Sequence, residues 1–271
     1  MKAKRKYILV PFDYSDYSIK AGLLAFDLAN KFNIEIIFLH AYQDEESNVS
    51  EAANNAKDFY DKEIKAGRLP DAAYSFILRK GVPEDEIKRF IRRDEPLVII
   101  MGTRGKDRKI NDLIGSVTAE VMDISEAPVF AVPESVELKS FNEIENIGYA
   151  TSLSDPDLKA FESMMEFMKP YNFTIMFVHI LESGEVASLY KGKIDYLQNY
   201  ISDKYPNINT AFKLIPAEKS LAVELNDYYV ANQIDVLAVK SNHRNIFSRI
   251  FVASLAKKLV FQAKTPLIVL H

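Results

Sequence analysis

Short runs of apolar residues alternate along the chain with longer segments in which apolar residues recur every three to four positions. The runs predict buried strands at residues 7–11, 34–42, 73–78, 97–102 and 129–132. The segments between them predict amphipathic helices, with apolar faces at Ile19, Leu23 and Phe26, at Ala52, Ala56, Phe59 and Ile64, at Ile87, Phe90 and Ile91, and at Val117 and Val121. Regular alternation of strand and helix predicts an α/β fold with a doubly wound parallel sheet.

The same pattern appears twice, with an offset of 138–139 residues. Residues 37–40 match residues 176–179, and residues 128–132 match residues 266–270. The polar segment 133–142 begins with proline and is interpreted as a linker. At 271 residues the chain has room for two domains of ordinary size. We therefore predict tandem domains at residues 1–138 and 139–271.

Composition narrows the class of protein. The net charge of −4 argues against a nucleic-acid-binding protein, for which a basic surface is expected. No apolar run approaches the 18 residues that a membrane span needs, so no membrane partner is expected. The chain has no cysteine, which removes disulfides, thiol catalysis and thiolate metal sites. A cytoplasmic protein is the simplest expectation.

A loop rich in glycine and charge lies between the strand at 97–102 and a helix predicted at 114–125. It places Gly102, Gly105, Gly115 and Ser116 at the spacing G-x2-G-x9-G-S, in a chain that has only 9 glycines. Glycine lets the backbone approach a ligand closely, and a helix N-terminus offers N–H groups to an anion. The loop therefore indicates nucleotide phosphate binding, although it matches neither of the two commonest phosphate motifs. The alternative is that one of these glycines forms a turn and that the other two are incidental, without a role in binding.

The motif at 102–117, the opening segment 7–15 and the end of the second strand at 38–41 resemble the ATP-binding branch of the universal stress protein family. The resemblance implies two Rossmann-like domains with strand order 3-2-1-4-5. It also implies a stress-response regulator that binds ATP, or a related adenine nucleotide, as a sensor or signalling module. Magnesium would be held mainly through the phosphates, and no catalytic or metal-ligating residue is expected.

The resemblance also assigns the nucleotide-binding residues. Pro11, Asp13 and Ala41 would contact adenine and ribose, and Ala41 replaces the valine that is more usual there. The phosphates would be taken by the glycine loop and the start of the following helix, and Arg104 would add a charge-assisted contact. The residues implied on this side are Met101, Gly102, Arg104, Gly105, Gly115, Ser116 and Val117.

Asp13 has two interpretations. It is a favoured residue type at a helix start and would cap the first helix together with Ser15 and Asp16. Alternatively, it lies at the carboxyl end of the first strand, where an open α/β sheet binds its ligands. In the expected strand order it would then face Gly102, and we favour this ligand role.

The second copy lacks the glycines. Lys240, His243 and Ala253 stand at the positions of Gly102, Gly105 and Gly115, and Ser152 stands at the position of Asp13. A Cβ atom at each former glycine limits close backbone approach. We therefore expect nucleotide binding in the first half alone. Charges at 240–244 either hold another anion or are solvated, as loop charges usually are.

His40 and His179 end the second strand of each copy. No neighbouring cluster has metal-ligand spacing, so a structural role at the strand end is expected. No residue stands out as a general base for hydrolysis. A slow nucleotide hydrolase and a ligand-free interaction module remain the alternatives to a regulator.

Each copy ends in a short apolar strand that should lie at the edge of its sheet. An exposed apolar edge invites pairing with another strand. By resemblance, the strands 129–132 and 267–270 would pair within the chain as a pseudo-dimer, and two independent domains are the alternative. The sequence leaves a homo-oligomer open.

Overall fold

The computed structural model describes residues 6–43, 49–93, 95–103, 115–133, 139–181, 184–219, 221–241 and 265–271. The chain divides into two compact units, residues 1–134 (unit 1) and residues 135–271 (unit 2). In the described part of the chain, no helix combines the length and apolar character needed to cross a membrane.

Unit 1 is a five-stranded parallel sheet with helices between consecutive strands. Its strands follow the order β3-β2-β1-β4-β5, which confirms the predicted strand order. The elements are β1 (Tyr7–Pro11), α1 (Asp16–Phe32), β2 (Glu35–Tyr42), α2 (Val49–Lys65), β3 (Tyr74–Lys80), α3 (Pro83–Arg93), β4 (Val98–Gly102), α4 (Ser116–Ile124) and β5 (Val129–Val132).

The central strands are apolar because both faces of the sheet are covered. Every residue of β1 and β4 is buried, as expected for parallel strands with helices on both sides. The helix α1 ends at Asn33, whose left-handed conformation (φ 50°, ψ 50°) lets its N–H group donate to the carbonyl of Ala29. The apolar runs that become β1 and β4 therefore form central strands of the unit 1 sheet.

Aromatic stacking organises the core under α2. The ring of Phe38 stacks on Tyr60, with centroids 5.0 Å apart, and on Phe76, at 4.7 Å. Burial, with a smaller contribution from Tyr74, raises the pKa of the Tyr60 hydroxyl, which donates to the carbonyl of Ile19. The predicted face of α2 was wrong at this point, since Phe59 is 38% exposed and Tyr60 is the buried ring.

Unit 2 repeats the arrangement, with the strand order β8-β7-β6-β9-β10. This confirms the repeat that the sequence indicated. Residues 242–264, between β9 and β10, lie outside the described residues. The described elements are β6 (Asn146–Ala150), α5 (Asp155–Met168), β7 (Thr174–Leu181), α6 (Lys191–Lys204), β8 (Asn209–Pro216), α7 (Leu221–Ala231), β9 (Val236–Lys240) and β10 (Leu267–Leu270).

The end of the predicted linker packs into unit 2 rather than lying free. Phe141 opens a short 3-10 helix, is fully buried and stacks on Tyr171 at 5.4 Å. The carboxylate of Asp235 accepts hydrogen bonds from Lys139 Nζ (2.6 Å) and from the N–H group of Asn146 (3.0 Å). Residues 139–142 are therefore part of the unit 2 fold, because their one large apolar side chain has a place in the core.

Candidate functional site

The carboxyl ends of three strands meet at one edge of the unit 1 sheet. Pro11 ends β1 and is in register with Leu39 of β2, and Leu9 is in register with Ile99 of β4. Ala41, near the end of β2, and Gly102, the last residue of β4, therefore lie on either side of the end of β1. This is the place where the strand order reverses and where α/β sheets bind ligands.

Asp13 supports the turn that starts α1. Its Oδ1 atom accepts hydrogen bonds from the N–H group (3.1 Å) and the hydroxyl (2.5 Å) of Ser15. Ser15 is the N-cap and accepts from the N–H group of Ser18 at 3.3 Å. A cleft of about 380 Å³ borders the first turns of α1 at Asp16 and Lys20. The capping interpretation thus has direct contacts, and the ligand role of Asp13 stays a prediction.

His40 fixes the end of β1. Its Nδ1 atom lies 2.7 Å from the carbonyl oxygen of Phe12, which can only accept, so Nδ1 carries the proton that it donates. The imidazole is 8% exposed and its ring lies 4.7 Å from that of Tyr14. These contacts support the structural role that the sequence indicated, and they set the position from which Asp13 projects.

The end of β4 and the start of α4 are fastened to each other by two hydrogen bonds. The hydroxyl of Thr118 donates to the carbonyl of Gly102 at 2.9 Å, and the N–H group of Gly115 donates to the carbonyl of Thr103 at 2.8 Å. Gly115 therefore does not present a free N–H group, contrary to the expectation that it donates to phosphate. The N–H groups of Ser116 and Val117 follow in the first turn, where a helix supplies no acceptors of its own.

Ser116 contacts an acidic residue that the sequence analysis missed. Its hydroxyl donates to Oε1 of Glu84 at 3.1 Å. Glu84 lies in the first turn of α3, where acids are common because they favour the helix dipole. The sequence gives no sign of this contact, because it arises from the packing of α3 beside α4, which brings Glu84 to the first residue of α4.

The other predicted residues lie where the strands and α4 place them. Met101 is buried next to Gly102 in β4, and Val117 is half-buried in the first turn of α4. Arg104 and Gly105 fall outside the described residues. No group of three or more His, Cys, Asp or Glu side chains that could hold a metal occurs among the residues described.

The equivalent edge of unit 2 has the same backbone and different side chains. Tyr14 and Leu153, 139 positions apart, both have left-handed backbones, with φ values of 60° and 57°. His179 repeats His40, with Nδ1 2.9 Å from the carbonyl of Thr151. The ring of Tyr190 lies 4.4 Å from that of His179. The strand-end turn is thus common to both units.

The carboxylate of this turn has a different source in unit 2. Ser152 occupies the place of Asp13, and its N–H group and hydroxyl donate to Oδ2 of Asp157 at 2.6 and 2.7 Å. Asp157 lies in the first turn of α5 and is 7% exposed. Lys240 ends β9 at the position of Gly102, whereas His243 and Ala253 lie outside the described residues.

The first half of the chain is similar in sequence to known proteins. Residues 4–133 match the model of the Universal stress protein family. A universal stress protein of Mycobacterium tuberculosis is 29% identical over 139 residues, which are 48% of this chain and 46% of that protein. One from Methanocaldococcus jannaschii is 27% identical over 139 residues, which are 47% of this chain and 81% of that protein. The match thus spans about half the length of the mycobacterial relative.

The fold of the whole chain is also found among solved structures. The crystal structure of a universal stress protein from Archaeoglobus fulgidus has a TM-score of 0.70 and 16% sequence identity, and the match covers 97% of this chain and 95% of that one. At this identity the likeness concerns the fold. The chain is therefore similar to universal stress proteins in sequence over residues 4–133 and in fold over almost its whole length.

Proposed function

We propose that unit 1 binds ATP, or a related adenine nucleotide, at the carboxyl edge of its sheet and that the protein acts as a stress-response regulator. The observation that carries the proposal is the junction of β1, β4 and α4. Gly102 ends β4 and is bonded through its carbonyl to Thr118, so the first turn of α4 opens at the crevice beside β1. A helix N-terminus at this point suits a phosphate group.

The roles of the residues follow from their places around this junction. Pro11, Asp13 and Ala41, at the ends of β1 and β2, are proposed to contact adenine and ribose. The N–H groups of Ser116 and Val117 are proposed to donate to phosphate oxygens. Met101 and Gly102, at the end of β4, are proposed to line the same site. Arg104 and Gly105 are assigned to the phosphates from the sequence alone. Magnesium is proposed to accompany the phosphates.

A regulatory rather than enzymatic role is proposed because the acids at the described part of the site, Asp13 and Glu84, already accept hydrogen bonds from Ser15 and Ser116. The carboxylate of Asp13, at the end of β1, already accepts two hydrogen bonds from Ser15. A general base must lie within hydrogen-bonding reach of the proton it removes. Binding with slow turnover or none is therefore the expected behaviour, and single-turnover measurement of ADP release would test it.

Unit 2 is proposed to bind no adenine nucleotide. Lys240 replaces the glycine at the end of the fourth strand, and Asp157 occupies the N–H and hydroxyl donors of Ser152. The expected stoichiometry is one nucleotide per chain. Mass spectrometry of nucleotide released from denatured protein identifies the ligand, and titration calorimetry counts the sites. Two equivalent sites, or none, would contradict the proposal.

Gly115→Val is expected to abolish nucleotide binding without unfolding the protein. Gly115 has φ −64° and ψ 156°, a conformation open to any residue, so the backbone tolerates the change. The branched side chain, however, would stand at the N-cap of α4, where phosphate is proposed to approach. Titration calorimetry measures the loss of binding.

Gly192→Ala is the matched control for this variant. An added Cβ atom at Gly192, in unit 2, would meet no atom within 4 Å, so binding should be retained. Circular dichroism should show a native spectrum for both proteins. Unchanged ATP affinity in Gly115→Val would refute the phosphate assignment.

A further inference from the structure

Glu84 stands beside the proposed phosphate position without belonging to the predicted site. Its Oε1 atom accepts the hydroxyl proton of Ser116 at 3.1 Å. Glu84 comes from the first turn of α3, and Ser116 is the first residue of α4. Two helix N-termini thus meet at one carboxylate.

The carboxylate of Glu84 disfavours a phosphate group that approaches Ser116 without a bound cation. A carboxylate and a phosphate both only accept hydrogen bonds, so they compete for the single hydroxyl proton of Ser116. They also repel each other as like charges. A nucleotide whose phosphates approach Ser116 must therefore overcome the charge of Glu84.

A divalent cation bound to the phosphates would offset their repulsion by Glu84. Magnesium takes oxygen ligands and is usually held by one or two carboxylates together with the phosphates of its nucleotide, rather than by a cage of protein ligands. Among the described residues, no group of three or more His, Cys, Asp or Glu side chains is placed to hold a metal ion. A single carboxylate at the phosphate end fits the mode of binding in which the nucleotide supplies the other ligands.

We infer that Glu84 makes nucleotide binding depend on magnesium, by repelling the phosphates of free ATP and by favouring the phosphates of Mg²⁺-ATP. The inference rests on the proposed function, because it assumes that phosphate approaches Ser116. Glu84 would thus favour the magnesium complex of the nucleotide over the free nucleotide.

The test is titration calorimetry of the full chain, freed of nucleotide, with ATP in excess EDTA and in excess MgCl₂. The variant is Glu84→Gln, which keeps an oxygen that accepts from Ser116 and removes the charge. The matched control is Asp85→Asn, which removes one charge from the same turn of α3 at an exposed side chain. Adenosine, which has no phosphate, serves as a second ligand.

The wild type is expected to bind ATP about tenfold more tightly with magnesium than with EDTA. Glu84→Gln should bind ATP about tenfold more tightly than the wild type in EDTA, with a magnesium effect of about threefold or less. Asp85→Asn should behave as the wild type, and adenosine should bind all three proteins equally.

Three results would each overturn the inference. If the wild type binds ATP and Glu84→Gln keeps the same ratio of affinities with and without magnesium, the role of Glu84 is wrong while the nucleotide site stands. If the wild type binds no ATP under either condition, the proposed function and the inference fall together. A shift shared equally by Asp85→Asn means that general surface charge is the cause, and this also refutes the specific role.

Discussion

At the scale of single residues, the two histidines at the strand ends offer a controlled comparison. His40 and His179 make the same hydrogen bond, through Nδ1 to the carbonyl of Phe12 and of Thr151 respectively, and both are buried. A buried carbonyl that loses its donor costs about 1–3 kcal/mol. His40, however, also sets the start of the turn that presents Asp13, whereas His179 holds a turn without a proposed ligand.

His40→Ala and His179→Ala are each expected to lower the free energy of unfolding by about 1–3 kcal/mol, measured by urea denaturation. ATP affinity, measured by calorimetry on folded protein, should fall about tenfold in His40→Ala alone. Equal effects of the two variants on affinity would show that the turn of unit 1 does not position the ligand.

At the scale of elements, close packing between β6 and α7 depends on one glycine. A Cβ atom added to Gly148 would lie 2.5 Å from Cε1 of the buried ring of Tyr229. Gly148→Ala is therefore expected to destabilise unit 2 by about 1–3 kcal/mol, because the strand or the ring must move. Differential scanning calorimetry or urea unfolding measures the loss.

Gly192→Ala is the control for this change as well. Gly192 lies in the first turn of α6, where an added methyl group meets nothing within 4 Å. Alanine there should raise the free energy of unfolding by up to about 1 kcal/mol, by restricting the unfolded chain. A stabilising effect of Gly148→Ala would show that Tyr229 has room to move.

The strands and helices show which parts of the fold could be predicted from the sequence. The strands were predictable because parallel strands buried on both faces are continuous apolar runs. The inward face of α2 was not, since Phe59 and Tyr60 are adjacent aromatics and periodicity cannot choose between them. Tyr60 is selected by its stacking on Phe38, a contact between distant parts of the chain. Glu84 was missed for the same reason, because it reaches Ser116 only through the packing of two helices.

At the scale of the whole molecule, the pairing of β5 with β10 stays a prediction. In a symmetric antiparallel pair of the strands 129–132 and 267–270, Ala131 would face Ile268. The chain contains no cysteine, so a disulfide in the double variant Ala131→Cys, Ile268→Cys reports this contact alone. Cross-linking requires Cα atoms within about 7 Å.

Oxidation of this double variant is expected to give a disulfide within one chain, detected by mass spectrometry of peptides. The control pair, Ala131→Cys with Gly192→Cys, places the second thiol on α6 and should stay reduced. A cross-link between two chains would point to a homo-oligomer instead. Reduced thiols in both variants would refute the pseudo-dimer.

The turn that follows β1 and β6 has a consequence for divergence within the chain. A left-handed residue and a histidine bonded to a main-chain carbonyl are present in both copies, whereas the carboxylate of the turn comes from Asp13 in unit 1 and from Asp157 in unit 2. One copy can therefore exchange its binding groups while its backbone stays intact. In unit 2, Ser152 stands where unit 1 has Asp13, and Asp157 supplies the acceptor from the next helix. Redundancy of this kind leaves the second copy free to acquire a different task.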